Sequence, residues 1–104
     1  MAEAARRVLV TGSIRSRPAC IDELLALSLE HVRRSRSEPG CISHAVHRDL
    51  EDPLRLVFVE EWADREVLLA HFAVPASRAF VKAARACATG APAMALYEVD
   101  ALRL

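Results

Sequence analysis

The 104-residue sequence contains no asparagine and no glutamine, and its three glycines, Gly12, Gly40 and Gly90, stand far apart. A phosphate-binding loop and a dinucleotide fingerprint both need clustered glycines, and a GxSxG nucleophile elbow is absent as well. The sequence therefore gives no support for a nucleotide or flavin cofactor, and we expect the protein to use none.

The sequence also lacks a net charge and any closely spaced pair of cysteines. The formal net charge is zero, which argues against a nucleic-acid partner. Cys20, Cys41 and Cys87 are odd in number and form no CxxC pair, which favours three reduced thiols over a disulfide framework or a zinc site. The longest apolar runs are far shorter than the roughly 20 residues of a membrane span. We therefore expect a cytoplasmic protein that binds neither nucleic acid nor membrane.

The periodicity of apolar residues predicts alternating strands and helices within a single domain, residues 1–104. The expected elements are a strand over 7–15, a helix over 19–36, strands over 41–48 and 54–62, helical segments over 65–73 and 75–88, and a strand over 93–102. Asp64 is expected to cap the helix that begins at Arg65. This order is typical of the ferredoxin-like βαββαβ fold, an α+β fold with a four-stranded antiparallel sheet and helices on one face.

The second and third strands form a hairpin with apolar residues on both faces. Alternation places one set of side chains of the second strand on one face, namely Ile42, His44 and Val46. It places the others on the opposite face, namely Cys41, Ser43, Ala45 and His47. A sheet that is apolar on both faces needs two covers, and helices supply only one. Because the chain is short and 53% hydrophobic, we expect a second copy to supply the other cover, which makes the protein a homodimer.

Four motifs follow one another through the middle of the chain: EPGC at 38–41, DP at 52–53, EEW at 60–62 and LAHF at 69–72. In this order they resemble the antibiotic biosynthesis monooxygenase superfamily, in particular its small quinol-monooxygenase-like members. The resemblance implies a dimeric α+β barrel, in which two sheets pack face to face and each subunit keeps its own cleft between sheet and helices.

The same stretch holds the candidate site residues. A histidine suits a general base because its unperturbed pKa, about 6.5, lies near operating pH. We assign His44 and His71, the second at the family's Ala-His position, as base or substrate hydrogen-bonder, and Trp62 as a wall on which an aromatic substrate stacks. Each also has a purely structural interpretation as a core residue. The expected substrate-binding residues are Phe58, Glu60, Leu68, Phe72 and Phe80.

The two other histidines are expected outside the site. His31 lies away from the motifs and is expected to be solvated. His47 is three positions from His44 on a strand, so the two side chains diverge and a local metal chelate is not expected. We therefore predict no metal ligands.

The chain departs from the family at positions that bear on its activity. Many members have a tyrosine where His44 stands, and the polyketide monooxygenases are associated with an Asn, Trp, Tyr and Arg set. This chain has no Asn, and its only tyrosine is Tyr97. The haem-degrading branch relies on an Asn near the haem, so the missing Asn argues against haem degradation.

Together the residues and the resemblance imply a cofactor-independent monooxygenase that acts with O2 on a small aromatic or hydroquinone-type substrate. Once deprotonated, such a substrate can give an electron to O2 directly, so the protein needs only a base, a dry pocket and anion stabilisation. Two alternatives stay open. One is a non-catalytic dimeric binding or stress-response module that holds a hydrophobic metabolite in the cleft, and the other is a non-oxidative isomerase or lyase.

Overall fold

A computed structural model describes residues 6–104, and its elements follow the predicted order. Their bounds are β1 Arg7–Arg15, a 3-10 turn Pro18–Cys20, α1 Ile21–Ser35, β2 Cys41–Arg48, β3 Arg55–Trp62, α2 Arg65–Ala73, α3 Pro75–Cys87 and β4 Ala93–Val99. The last strand is shorter than its predicted range. Residues 1–5 of the predicted domain lie outside the described residues.

All four strands pair antiparallel in the order β2-β3-β1-β4. This is the ferredoxin-like arrangement that the sequence predicted, and the α+β fold class is confirmed. Because β1 and β3 lie in the middle of the sheet, their helix-facing side chains are covered most completely and supply much of the core.

The helix boundaries follow local sequence signals. Asp64 caps α2, since its Oδ1 accepts a hydrogen bond of 2.9 Å from the Val67 N–H. Pro75 begins α3, at a position where a helix does not need an N–H donor. The chain bends by 70° between α2 and α3.

Within residues 6–104 no single helix is both long and apolar enough to cross a membrane. Only α2 and α3 taken together, as a bent pair, have the length and the composition of a membrane span.

The core lies between the helices and one face of the sheet, in two clusters. The first gathers around Leu24 of α1 and Leu56 of β3, and the second around Trp62 of β3 and Leu68 of α2. Burying a side chain of this size contributes roughly 1.5–3 kcal/mol. The second cluster holds α2 against the end of β3, and α2 carries His71.

The other face of the sheet, here called the outer face, has no helix over it in the described part of the chain. Its apolar side chains include Leu9, Ala45, Val57, Val59, Ala95, Tyr97 and Val99. His47 pairs with Val57 on this face, opposite to the face that holds His44, as the alternation predicted.

A bulge at the start of β2 changes part of the predicted face assignment. Cys41 pairs with Trp62, yet Ser43 pairs with the adjacent residue of β3, so β2 has one extra residue here. Cys41 therefore packs beside Trp62 on the helix-facing side with His44, whereas Ile42 is 45% exposed. The predicted strict alternation was wrong for Cys41 and Ile42, because a bulge shifts the period by one residue.

Candidate active site

A cleft of about 500 Å³ opens between α3 and the sheet. This volume is in the range of small-molecule sites. The apolar side chains that line it include Phe58, Phe72, Phe80, Val81 and Ala84. The buried polar side chains of the lining are His31, Glu60, His71 and Ser77. The cleft is therefore mostly apolar, with one group of convergent polar side chains.

Three histidines from three different elements meet beside the cleft. They are His31 of α1, His44 of β2 and His71 of α2, and their ring centroids are 5.3, 5.4 and 5.5 Å apart in the three pairs. All three side chains are buried. His44 and His71 were predicted as site residues, whereas His31 was not.

Glu60 connects His44 and Trp62. Its Oε1 accepts a hydrogen bond of 2.9 Å from the Trp62 Nε1–H and lies 3.2 Å from His44 Nε2. The His44 contact has the distance of an ion pair but lacks hydrogen-bond alignment, so neither ring nitrogen of His44 has a hydrogen-bond partner among residues 6–104. Burial opposes ionisation of Glu60, but the interactions with His44 and Trp62 outweigh burial and hold the pKa of Glu60 below its usual value. Glu60 is therefore a carboxylate at neutral pH.

Glu38, in the turn before β2, sets the tautomer of His71. Glu38 Oε1 lies 2.9 Å from His71 Nδ1. A carboxylate only accepts hydrogen bonds, so Nδ1 carries a proton and donates it. In the neutral ring the lone pair is then on Nε2, which lies 4.0 Å from Glu60 Oε1. An imidazole held by a carboxylate, with Nε2 unprotonated, is the arrangement of a general base.

His31 has the opposite tautomer. Arg34 Nη2 lies 2.8 Å from His31 Nδ1, and a guanidinium only donates, so the neutral ring carries its proton on Nε2. The ring stacks on Phe80, with centroids 4.1 Å apart and 7° between the planes. Burial first, and then the neighbouring histidines and guanidinium, lower the pKa of His31 to about 3. The expectation that His31 is solvated was wrong, because its side chain is only 7% exposed.

Most of the predicted site residues line the cleft, but three lie behind it. Those in the lining are Phe58, Glu60, His71, Phe72 and Phe80. His44, Trp62 and Leu68 are fully buried and lie outside the lining. Trp62 packs behind His71, with ring centroids 4.6 Å apart, and supports that ring from the core side.

Two side chains of the site were missing from the prediction. Glu38 belongs to the EPGC motif, but the motif does not indicate a partner 33 positions away. The sequence does contain a pattern that indicates burial of His31. Leu24, Ser28, His31 and Val32 recur at helical spacing and are all buried, so the stripe that predicted α1 also contained His31.

The three imidazoles are also close enough to form a metal ligand set, because each offers one nitrogen within 4.8 Å of the others. The prediction of no metal ligands rested on the divergence of His44 and His47 and did not include this cluster. A transition metal binds a nitrogen lone pair of neutral imidazole. In His31, however, Nδ1 is engaged by Arg34 and Nε2 carries the proton. The contact with Arg34 therefore leaves the neutral ring of His31 without a free nitrogen lone pair for a metal ion.

Known proteins resemble this chain over the elements that build the site. The family model for "Antibiotic biosynthesis monooxygenase" matches residues 7–83. The uncharacterized protein sll1783 of Synechocystis sp. is 37% identical over 75 residues, which are 72% of this chain and 51% of that protein. The chain thus spans about half the length of that relative.

Solved structures show the same fold. A crystal structure described as an antibiotic biosynthesis monooxygenase is 31% identical, with a TM-score of 0.83 over 92% of this chain and 99% of that chain. A conserved protein from Methanosarcina mazei is 22% identical, with a TM-score of 0.87 over 93% of this chain and 96% of that one. Rv0793 from Mycobacterium tuberculosis is also 22% identical, with a TM-score of 0.86 over 92% and 97%. The match of the family model across three strands and most of the helical layer means that this chain belongs to the antibiotic biosynthesis monooxygenase family.

Proposed function

We propose that the chain is a cofactor-independent monooxygenase that oxidises a small hydroquinone-type substrate with O2. The observation that supports this best is the pair of opposite tautomers beside one apolar cleft. Nε2 carries a lone pair in His71 and a proton in His31, and both residues line the cleft. Deprotonation of a phenolic hydroxyl needs a base of this kind and a donor for the resulting oxyanion. Family membership supports monooxygenase chemistry.

His71 takes the proton in this proposal. A hydroquinone hydroxyl next to His71 Nε2 transfers its proton to that nitrogen, and Glu38 stabilises the imidazolium through Nδ1–H. The His31 Nε2–H donates a hydrogen bond to the phenolate oxygen. Because the pKa of His31 is about 3, this ring stays neutral and does not compete for the proton.

The phenolate then reacts with O2 directly. It transfers one electron to O2, which gives a semiquinone and superoxide. The two radicals combine to a peroxide anion, which takes the proton back from the His71 imidazolium and becomes a hydroperoxide. Loss of water leaves one oxygen atom on the ring, so one hydroquinone and one O2 yield one hydroxyquinone and one water. The rings of Phe58, Phe72 and Phe80 exclude bulk water from the radical pair.

His44 and Trp62 act as positioning residues in this scheme. Both contact Oε1 of Glu60, at 3.2 and 2.9 Å, and keep that carboxylate ionised. The charge of Glu60 lies 4.0 Å from His71 Nε2 and favours the imidazolium that forms when the substrate loses its proton. The three predicted catalytic residues thus divide into one that touches the substrate, His71, and two that act through Glu60.

Oxygen uptake by the metal-free protein tests this function. With a panel of hydroquinones we expect O2 consumption above the autoxidation rate, and with isotopically labelled O2 one labelled atom in the product and one in water. A His47→Ala variant, altered on the outer face, should keep full activity. Ligand binding without O2 uptake would contradict the oxygenase function and favour the binding module. Turnover without O2 would favour an isomerase or lyase.

We also propose that two chains form a homodimer through their outer faces, since each face carries a group of apolar side chains among its polar ones and is uncovered in the described chain. Sedimentation at micromolar concentration should give about twice the chain mass of 11.4 kDa. Val59→Lys inserts a charge into the outer face and should produce a monomer. Leu29→Lys, on the exposed side of α1, is the matched control and should stay dimeric. A monomeric wild-type protein would contradict the proposal.

A further inference from the structure

Two cysteines separated by 67 positions meet where α1 begins and α3 ends. The sulfur atoms of Cys20 and Cys87 are 2.7 Å apart, and both thiols are free. A disulfide bond is about 2.05 Å long, so the two atoms need to approach by only about 0.7 Å. The third cysteine, Cys41, packs in the other core cluster, beside Trp62.

Hydrogen bonds from Arg17 hold the segments that carry the two cysteines together. The Arg17 N–H donates to the Cys87 carbonyl at 2.8 Å, and Arg17 Nη2 donates to the Ala86 carbonyl at 2.7 Å. Ser16 and Ala88 form an isolated β-bridge next to these contacts. The segments that carry the two thiols are therefore already paired in the fold, and joining the sulfur atoms requires little further loss of chain entropy.

The two thiols differ in access and surroundings. Cys20 is half-buried, whereas Cys87 is buried. Arg17 Nη2 lies 3.4 Å from Cys20 Sγ, and Glu23 Oε2 lies 3.9 Å from the same sulfur, so Cys20 has polar neighbours of both charges. The contact with Cys20, and then burial, raise the pKa of Cys87 to about 11, so Cys87 remains a thiol at neutral pH. Redox-sensitive pairs commonly have an accessible cysteine that attacks the oxidant and a neighbouring cysteine that resolves the product. Here Cys20 has the access of the first and Cys87 the position of the second.

We propose that Cys20 and Cys87 are a site of reversible oxidation, at which hydrogen peroxide converts two thiols into a disulfide. Cys20 sulfur attacks one peroxide oxygen, which gives a sulfenic acid and one water. Cys87 sulfur then attacks the oxidised sulfur, which forms the S–S bond and releases a second water. Peroxide thus accepts two electrons from the two thiols, and a thiol reductant restores them. The sequence-based expectation of three reduced thiols then describes the reduced state.

The disulfide would fasten the end of α3 to the start of α1. Because α3 supplies Phe80, Val81 and Ala84 to the cleft, oxidation would also stiffen one wall of the candidate active site. Neither cysteine lines the cleft, so this proposal does not depend on the oxygenase function.

Mass spectrometry of the full-length protein after peroxide treatment tests the site. We expect the mass to fall by two hydrogen atoms, the titratable thiols to fall from three to one, and a peptide map to join Cys20 to Cys87. Dithiothreitol should reverse all three changes. Cys20→Ser, at a partly exposed position, should abolish the link, and Cys41→Ser should leave it unchanged. Sulfinic acid at Cys20 with a free Cys87 would overturn the proposal, and so would a link between two protomers.

Thermal unfolding of the wild-type protein gives a second measurement that needs no variant. The oxidised form should melt at a higher temperature than the reduced form, because the new bond closes a long loop without distorting the native backbone. A lower melting temperature for the oxidised form would mean that the bond is strained. That result would overturn the inference that the fold presents the two sulfur atoms ready to react.

Discussion

His71→Gln is expected to lower kcat for hydroquinone oxidation by about two to four orders of magnitude, the usual contribution of a general base. The change removes the Nε2 lone pair that accepts the proton, while the amide fills a similar volume. Substrate affinity should change much less, because the apolar lining carries most of the binding. Initial rates of O2 uptake across a range of substrate concentrations give both values.

Glu38→Gln alters the acceptor of the hydrogen bond that His71 Nδ1 donates. A glutamine can offer either its carbonyl or its amide group to His71 Nδ1, so the tautomer of the ring is no longer fixed. We expect kcat to fall, since a neutral neighbour stabilises the imidazolium less than a carboxylate does. His47→Gln should match the wild type. If His71→Gln folds normally and loses less than tenfold in kcat, another group is the base.

Gly40→Ala is expected to cost about 3 kcal/mol of unfolding free energy. Gly40 has φ +79°, in the left-handed region, where a side chain costs roughly 1–2 kcal/mol. An added Cβ would also lie 2.6 Å from both methyl carbons of Val67 and 2.7 Å from its Cβ. Rotation of the Val67 side chain cannot clear all three atoms, so α2 would have to move away from the turn. Urea denaturation at fixed protein concentration measures the loss.

Gly90→Ala separates the cost of the left-handed backbone from the cost of the steric clash with Val67. Gly90 has φ +77°, but an added Cβ would meet no atom of residues 6–104 within 4 Å. We therefore expect Gly90→Ala to lose only the backbone contribution, about 1–2 kcal/mol. Val67→Ala in the Gly40→Ala background should recover part of the stability, because it removes both methyl groups that clash. Equal losses at the two glycines would contradict the steric account.

The fold was predictable where its signals are local. Asp64 and Pro75 mark helix starts through chemistry that acts within one turn. The strand periodicities extend over seven to nine residues, which is long enough to identify each strand. The bulge between Cys41 and Ser43 had no such signal. It is stabilised by the packing of Cys41 against Trp62, and that contact exists only once β2 and β3 have paired.

The site was only partly predictable, because its decisive contacts join distant segments. Family motifs indicated His71, but its tautomer depends on Glu38, which tertiary structure alone brings within hydrogen-bond distance. His31 is a different case, since the buried stripe of α1 contained it. It was left out because it lies outside the family motifs, although Arg34, which sets its tautomer, is only three positions away on the same helix, a spacing at which side chains meet.

Gly12 lies in the lining of the cleft beside Phe58. A Cβ at this position would be 3.5 Å from the Ala93 carbonyl oxygen and 3.8 Å from Phe58 Cβ, which are ordinary van der Waals distances. A methyl group could therefore be added without moving the backbone, and it would occupy cleft volume. The size of the molecule that the cleft accepts can thus change through one strand position, while the hydrophobic core and the proton-transfer groups stay as they are. The size of ligand that the cleft admits is in this respect adjustable at one strand position, which gives the chain a short evolutionary route to new ligands.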